Sequence, residues 1–122
     1  MLVSSSSSLV RLNANGTPDG TFQYQADPGL RIHGAKAHTH GTIIVYGSLS
    51  NEPALFRLDE NGGIDESFRF RPPPDLAGKY AAVAEVIYGK DDAIYAVVDW
   101  AVSFSPDGVV LANRVLRVTP DG

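Results

Sequence analysis

Leu9-Val10-Arg11-Leu12-Asn13-Ala14-Asn15-Gly16-Thr17-Pro18-Asp19-Gly20-Thr21-Phe22 decides the fold, because it recurs. Leu55-Phe56-Arg57-Leu58-Asp59-Glu60-Asn61-Gly62-Gly63-Ile64-Asp65-Glu66-Ser67-Phe68 repeats it without a gap, Arg57 lying 46 residues beyond Arg11. A third copy starts at Val115-Leu116-Arg117-Val118-Thr119-Pro120-Asp121-Gly122, with Arg117 lying 60 residues beyond Arg57. The shared string is Arg-Leu-x-x-Asn-Gly-x-x-Asp-x-(Ser/Thr)-Phe, and each copy of it is a box. Self-similarity at a fixed period of tens of residues is the mark of a repeat architecture.

Each box reads as a strand, a tight turn and an aromatic anchor. Side chains alternate across a strand, so Val10 and Leu12 share one face, as do Phe56 and Leu58, while Arg11 and Arg57 take the other. Asn15-Gly16 and Asn61-Gly62 supply the positive φ that a tight turn requires. Asp19 and Asp65 stand where a carboxylate bonds to nearby backbone N–H groups. Phe22 and Phe68 follow as apolar anchors wedged between neighbouring sheets.

Between the boxes lies a second similarity. Gly41-Thr42-Ile43-Ile44-Val45-Tyr46 follows the first box and Asp92-Ala93-Ile94-Tyr95-Ala96-Val97-Val98 follows the second, each a turn running into a β-rich strand. The second unit has five extra residues before this strand and nine after it. The Pro72-Pro73-Pro74 segment and the stretch from Trp100 to Gly108 are the expected sites of that extra length. Only Ala77 to Tyr88 offers a helix, and its Val83-Ala84-Glu85-Val86-Ile87-Tyr88 also reads as a strand. A period of about 40 to 50 residues with several short strands per unit predicts an all-β fold of β-propeller-like blades. The expected division is a Ser-rich lead-in over 1–8, blade-like repeats over 9–54 and 55–114, and the start of a third over 115–122. About two blades with open edges are therefore expected, either self-associating into a ring or belonging to a longer protein.

The boxes resemble the delta-60 repeat, a bacterial β-propeller-type repeat of otherwise unknown function. Its pattern runs Arg-Leu-Asn-x-Asp/Asn-Gly-x-Leu-Asp-x-Ser/Thr-Phe, then Asp-Gly-Lys-Ile-Leu-Val-x-Gly. Arg11 to Phe22 and Arg57 to Phe68 match the first part, and Gly41 to Gly47 the second. Pro18 and Ile64 depart from it where the family has Leu before the box aspartate. The resemblance implies propeller-like blades and an extracellular or cell-surface setting, and it supplies no catalytic residues.

Composition narrows the function classes. With 43% hydrophobic and 20% charged residues among 122, the chain is globular in character and the size of one domain. A net charge of −4 and scattered Lys and Arg argue against nucleic acid. No cysteine is present, which removes disulfide scaffolds and Cys-based zinc sites. No apolar run approaches the ~18 residues of a membrane span, and residues 1–8 do not form a signal peptide.

Few residues are candidates for chemistry. Asp59, Asn61 and Asp65 have the spacing of early calcium-loop ligands, but Phe70 stands where the loop needs a glutamate, and turn chemistry explains the same residues. His33, His38 and His40 cluster, but they fall at a turn and lack a cysteine to complete a site. No Gly-x-Ser-x-Gly elbow, paired-carboxylate arrangement or phosphate loop occurs, so the chain is expected to be no enzyme and to take no cofactor. Trp100, on a loop inserted into the second unit, is the ligand or interaction candidate, because exposed loops carry binding functions on rigid scaffolds. The leading expectation is a repeat scaffold that mediates protein interaction or surface display, its partner a protein or another copy of itself. The competing one is a module that binds carbohydrate or calcium around Trp100 or Asp59 to Asp65.

Overall fold

The computed structural model describes residues 1–25, 27–76, 80–105 and 108–119. The described residues contain strands and 3-10 turns and no α-helix. Three antiparallel sheets follow one another along the chain. The first pairs β1 (Leu2–Ser4) with β2 (Leu9–Arg11). The middle sheet has the order β3 (Leu30–Ala37), β4 (Ile43–Leu49), β5 (Glu52–Leu58). The third has the order β6 (Ala82–Tyr88), β7 (Ile94–Ser105), β8 (Gly108–Val118). The fold is thus all-β and built of blade-like sheets that do not close into a barrel.

The middle and third sheets are the same unit built twice. Each opens with a strand that carries a bulge, at Ile32/Gly34 and at Val83/Glu85. Each then passes through a 3-10 turn, Thr39–Gly41 or Lys90–Asp92, into its central strand. The box strand comes last, as β5 or as β8. The segment from Ala82 to Tyr88, where a helix was an option, is strand β6. The β-branched Val83, Val86 and Ile87 favour a strand there. Ala77, of the same segment, lies outside the described residues, as do Pro120, Asp121 and Gly122 of the third box.

Among the described residues, the extra length after the second central strand is strand and not loop. In the middle sheet, Leu49 pairs with Glu52 and the hairpin closes through Ser50 and Asn51, both at positive φ (51° and 67°). In the third sheet the equivalent pair is Trp100–Ala112, and the ladder runs on beyond it to Ser105–Gly108. Trp100 therefore sits within a strand and not on the exposed loop expected from sequence. The β-favouring residues on both sides of the tip let the pairing propagate.

Apolar packing joins the sheets in series. Between the first and middle sheets, Leu9, Phe22, Leu30, Ile32, Ile43, Val45, Ala54 and Leu58 form one core. Between the middle and third sheets, Ile44, Tyr46, Leu55, Phe68, Val83, Val86, Ala96 and Val98 belong to the other. Each box phenylalanine is wedged between two successive sheets, as its sequence position implied. Ile43 and Val45 face one core and Ile44 and Tyr46 the other, so β4 is buried on both sides. This explains why its sequence is continuously apolar where a one-sided strand would alternate.

Candidate functional site

The two complete boxes fold alike. The Asn13 N–H donates to the Thr17 carbonyl and the Asp59 N–H to the Gly63 carbonyl, each at 2.8 Å, closing the turn. Gly16 and Gly62 take φ of 88° and 91° within it. Across the turn Leu12 faces Pro18 and Leu58 faces Ile64. This brings each arginine onto the aspartate eight residues ahead. Arg11 Nε donates to Asp19 Oδ2 at 2.9 Å, and Arg57 Nε to Asp65 Oδ2 at 2.8 Å. The other carboxylate oxygen, Oδ1, accepts the backbone N–H and hydroxyl of Thr21 in one box and of Ser67 in the other. Each guanidinium also lies 4.9 Å from the centroid of its own box phenylalanine, Phe22 or Phe68. Both carboxyls titrate below the usual aspartate value. For Asp19 the Thr21 hydroxyl bond is the main cause, with the Thr21 N–H and Arg11 adding to it. For Asp65 the cause is first the Ser67 hydroxyl and then Arg57.

Successive boxes also clasp one another. Arg11 Nη1 reaches 49 residues ahead and donates to the Glu60 carbonyl at 2.6 Å. The Gln23 N–H, just past the anchor Phe22, donates to the Asn61 carbonyl at 2.8 Å. The second box's turn thus receives the first box, and Gly62 makes room for it. A Cβ at Gly62 would lie 2.5 Å from the Gln23 carbonyl oxygen, whereas a Cβ at the equivalent Gly16 would meet nothing within 4 Å.

A second polar bridge joins the middle and third sheets. Lys36 Nζ donates to Glu85 Oε1 at 2.9 Å and to the Val86 carbonyl at 2.6 Å. Tyr46 donates its hydroxyl to the same Glu85 oxygen, and Tyr88 donates to the Lys36 carbonyl. Burial first, and then Glu85, pushes the Tyr46 phenol up to about 12; burial and Tyr46 do the same to Tyr88. Lys36 foremost, then the Val86 N–H and Tyr46, hold Glu85 below the usual glutamate value.

The residues singled out from sequence mostly serve this framework. Asp59 Oδ1 accepts the N–H groups of Asn61 and Gly63, and Asp65 is engaged by Arg57 and Ser67. Among the described residues no three His, Asp or Glu side chains are grouped to hold a metal ion. His33 and His40 are exposed. His38, at the 3-10 turn, meets the next unit. Its ring lies 4.7 Å from that of Tyr88, and Nε2 meets the Asp92 carbonyl at 3.0 Å. That oxygen can only accept, so Nε2 carries the proton. Trp100 is half-buried against the core, with the Arg114 guanidinium 5.3 Å from its ring centroid. Arg114 in turn donates to Asp75 through both terminal nitrogens. The indole is thus held by the chain's own cation. A cavity of about 620 Å³ opens beside these turns, lined by His38, His40, Arg57, Lys90, Asp92 and Arg117 among others.

Residues 3–22 match a family model described as a domain of unknown function (DUF5122) beta-propeller. The matched stretch contains most of β1, all of β2 and the whole first box. No curated protein and no solved structure matches the chain significantly. The match covers the element that the structure shows to be built twice in full, and it agrees with sheets arranged as blades.

Proposed function

We propose that the chain is a non-catalytic β-propeller-type repeat scaffold of the delta-60 kind, which presents sheet faces and hairpins for protein interaction or display. The observation that carries this reading is the use made of the box residues. The guanidinium, carboxylate, hydroxyl and ring of Arg57, Asp65, Ser67 and Phe68 are all engaged with one another, as are those of Arg11, Asp19, Thr21 and Phe22. A group spent on holding the fold is not poised for chemistry, and the most regular feature of the sequence is therefore architectural. What the framework offers a partner is its sheet faces, where Ile87 and Val115 stand exposed. The test pairs a calcium titration of thermal stability with a glycan array. The expected outcome is an unchanged Tm and no bound glycan. A calcium-dependent rise lost in Asp59→Ala, or glycan binding lost in Trp100→Ala, would replace this reading with that of a ligand-binding module.

A further inference from the structure

The boxes hold the chain's two Asn-Gly steps, Asn15-Gly16 and Asn61-Gly62. At such a step the backbone can attack its own side chain, because a glycine has no Cβ to block the approach of its nitrogen to the preceding carboxamide. The two steps are alike in most respects. Both asparagines are exposed to water. Gly16 donates its N–H to the Asn13 carbonyl at 3.0 Å, and Gly62 donates to the Asp59 carbonyl at 3.1 Å. Asn61 stays exposed with the first box clasped onto its turn, so the exposure of this position does not depend on what lies against the turn.

The carboxamides differ. Asn15 Oδ1 accepts two hydrogen bonds, from the Thr17 N–H at 3.0 Å and from the Thr17 hydroxyl at 2.6 Å. Asn13 Nδ2 donates to that hydroxyl at 3.1 Å and holds it in this direction. Amide, hydroxyl and carbonyl thus form a chain of bonds that polarise one another. Two donors on one carbonyl oxygen are the arrangement that stabilises negative charge developing there. The second box lacks it. Position 63 is glycine, with no hydroxyl, and its N–H goes instead to Asp59 Oδ1 at 3.0 Å. Among the described residues no hydrogen bond reaches the Asn61 carboxamide. The Asp59 carboxylate, bonded to the Asn61 N–H at 2.8 Å, sets a negative charge beside it.

We propose that Asn15 is a site of self-modification, which loses its amide as ammonia and takes up water. The Gly16 nitrogen gives its proton to solvent hydroxide and bonds to Asn15 Cγ. The carbonyl electron pair moves onto Oδ1, where the two Thr17 donors stabilise it. The pair returns as the Cγ–Nδ2 bond breaks, and Nδ2 takes a proton from water and leaves as ammonia. Water then opens the cyclic imide at either carbonyl. One opening gives aspartate, and the other gives isoaspartate, in which the backbone runs through Cβ and Cγ. Both place a new negative charge on the turn.

Peptide mapping by mass spectrometry, after incubation of the folded chain at mildly alkaline pH, tests it. Asn15 converts to aspartyl and isoaspartyl products, and Asn61 lags it about tenfold. In denaturant the two steps react at similar rates. Thr17→Ala keeps the backbone donor, removes the hydroxyl and slows Asn15 about tenfold, less than such a donor is worth in a water-excluded site. Thr17→Ser keeps the hydroxyl and the parent rate, and circular dichroism checks that each variant is folded. The proposal is overturned if Asn61 in the folded chain converts as fast as Asn15, if the preference for Asn15 persists in denaturant, or if folded Thr17→Ala reacts at the parent rate. The reaction needs no partner, so its failure is separable from failure of the scaffold reading.

Discussion

Replacing Gly62 and Gly16 separately by alanine isolates the clasp between boxes. The two glycines share a turn type and a φ near 90°. In either one, alanine incurs the left-handed penalty of an L-residue, about 1–2 kcal/mol. At Gly16 nothing lies within 4 Å of the new methyl group, so that penalty is the whole cost. At Gly62 the methyl group would meet the Gln23 carbonyl oxygen at 2.5 Å and its nitrogen at 3.1 Å. These are backbone atoms and cannot swing aside, so the strands must separate. The Gln23 N–H to Asn61 carbonyl bond is then stretched or lost, at about 1 kcal/mol net, and overpacking adds about 1 kcal/mol more. Gly62→Ala should therefore cost about 3–4 kcal/mol against about 1–2 for Gly16→Ala. For a chain of this size, at roughly 3–6 °C per kcal/mol, the Tm falls by about 5 °C in one variant and about 15 °C in the other. Urea unfolding at a concentration where the chain is monomeric gives the two values side by side. Equal losses would refute the clasp, since the two glycines share their φ and differ in what a methyl group would meet.

Other consequences are as direct. Phe68→Ala empties a 6% exposed position in the core between the middle and third sheets and should cost about 3–5 kcal/mol in urea unfolding. Arg11→Lys keeps the charge but cannot span Asp19 and the Glu60 carbonyl together, so it should lose about 1–2 kcal/mol. Asp19, Asp65 and Glu85 all have folded values below their unfolded ones. Stability is therefore full above the ordinary carboxylate range and falls with pH as those lowered values are crossed, and Tm measured from neutral pH downward will drop there. Tyr46 and Tyr88 should be late in an ultraviolet titration, ionising near 12. As both folded values are raised, the stability they contribute is intact below pH 10 and is lost between there and about 12.

The box was legible in the sequence because its requirements are local. A strand, a Gly-bearing turn and an aromatic anchor each depend on neighbours a few residues apart, and their recurrence in phase exposed the repeat. The Arg–Asp pair was within reach but was not inferred. Residues eight apart that flank a tight turn face one another across a hairpin, and the two copies keep both identities. The clasp was out of reach. Its acceptors are the carbonyls of Glu60 and Asn61, and a carbonyl leaves no trace in residue identity. The cation over Trp100 was equally hidden, because Arg114 reaches it only through the register of the long hairpin. The setting of His38 was hidden for the same reason: its partners, Tyr88 and the Asp92 carbonyl, lie on the next unit. Turn chemistry could be read locally, but not what one turn meets on its neighbour.

The β4–β5 and β7–β8 hairpins carry a practical consequence. One closes in two residues, Ser50 and Asn51, and the other carries eleven between the equivalent pair Trp100–Ala112, yet both flank the same framework. The tip between Leu49 and Glu52 is therefore a cassette. A foreign loop or a short hairpin grafted there has its length precedent in the same molecule, and the boxes on either side need not change to receive it.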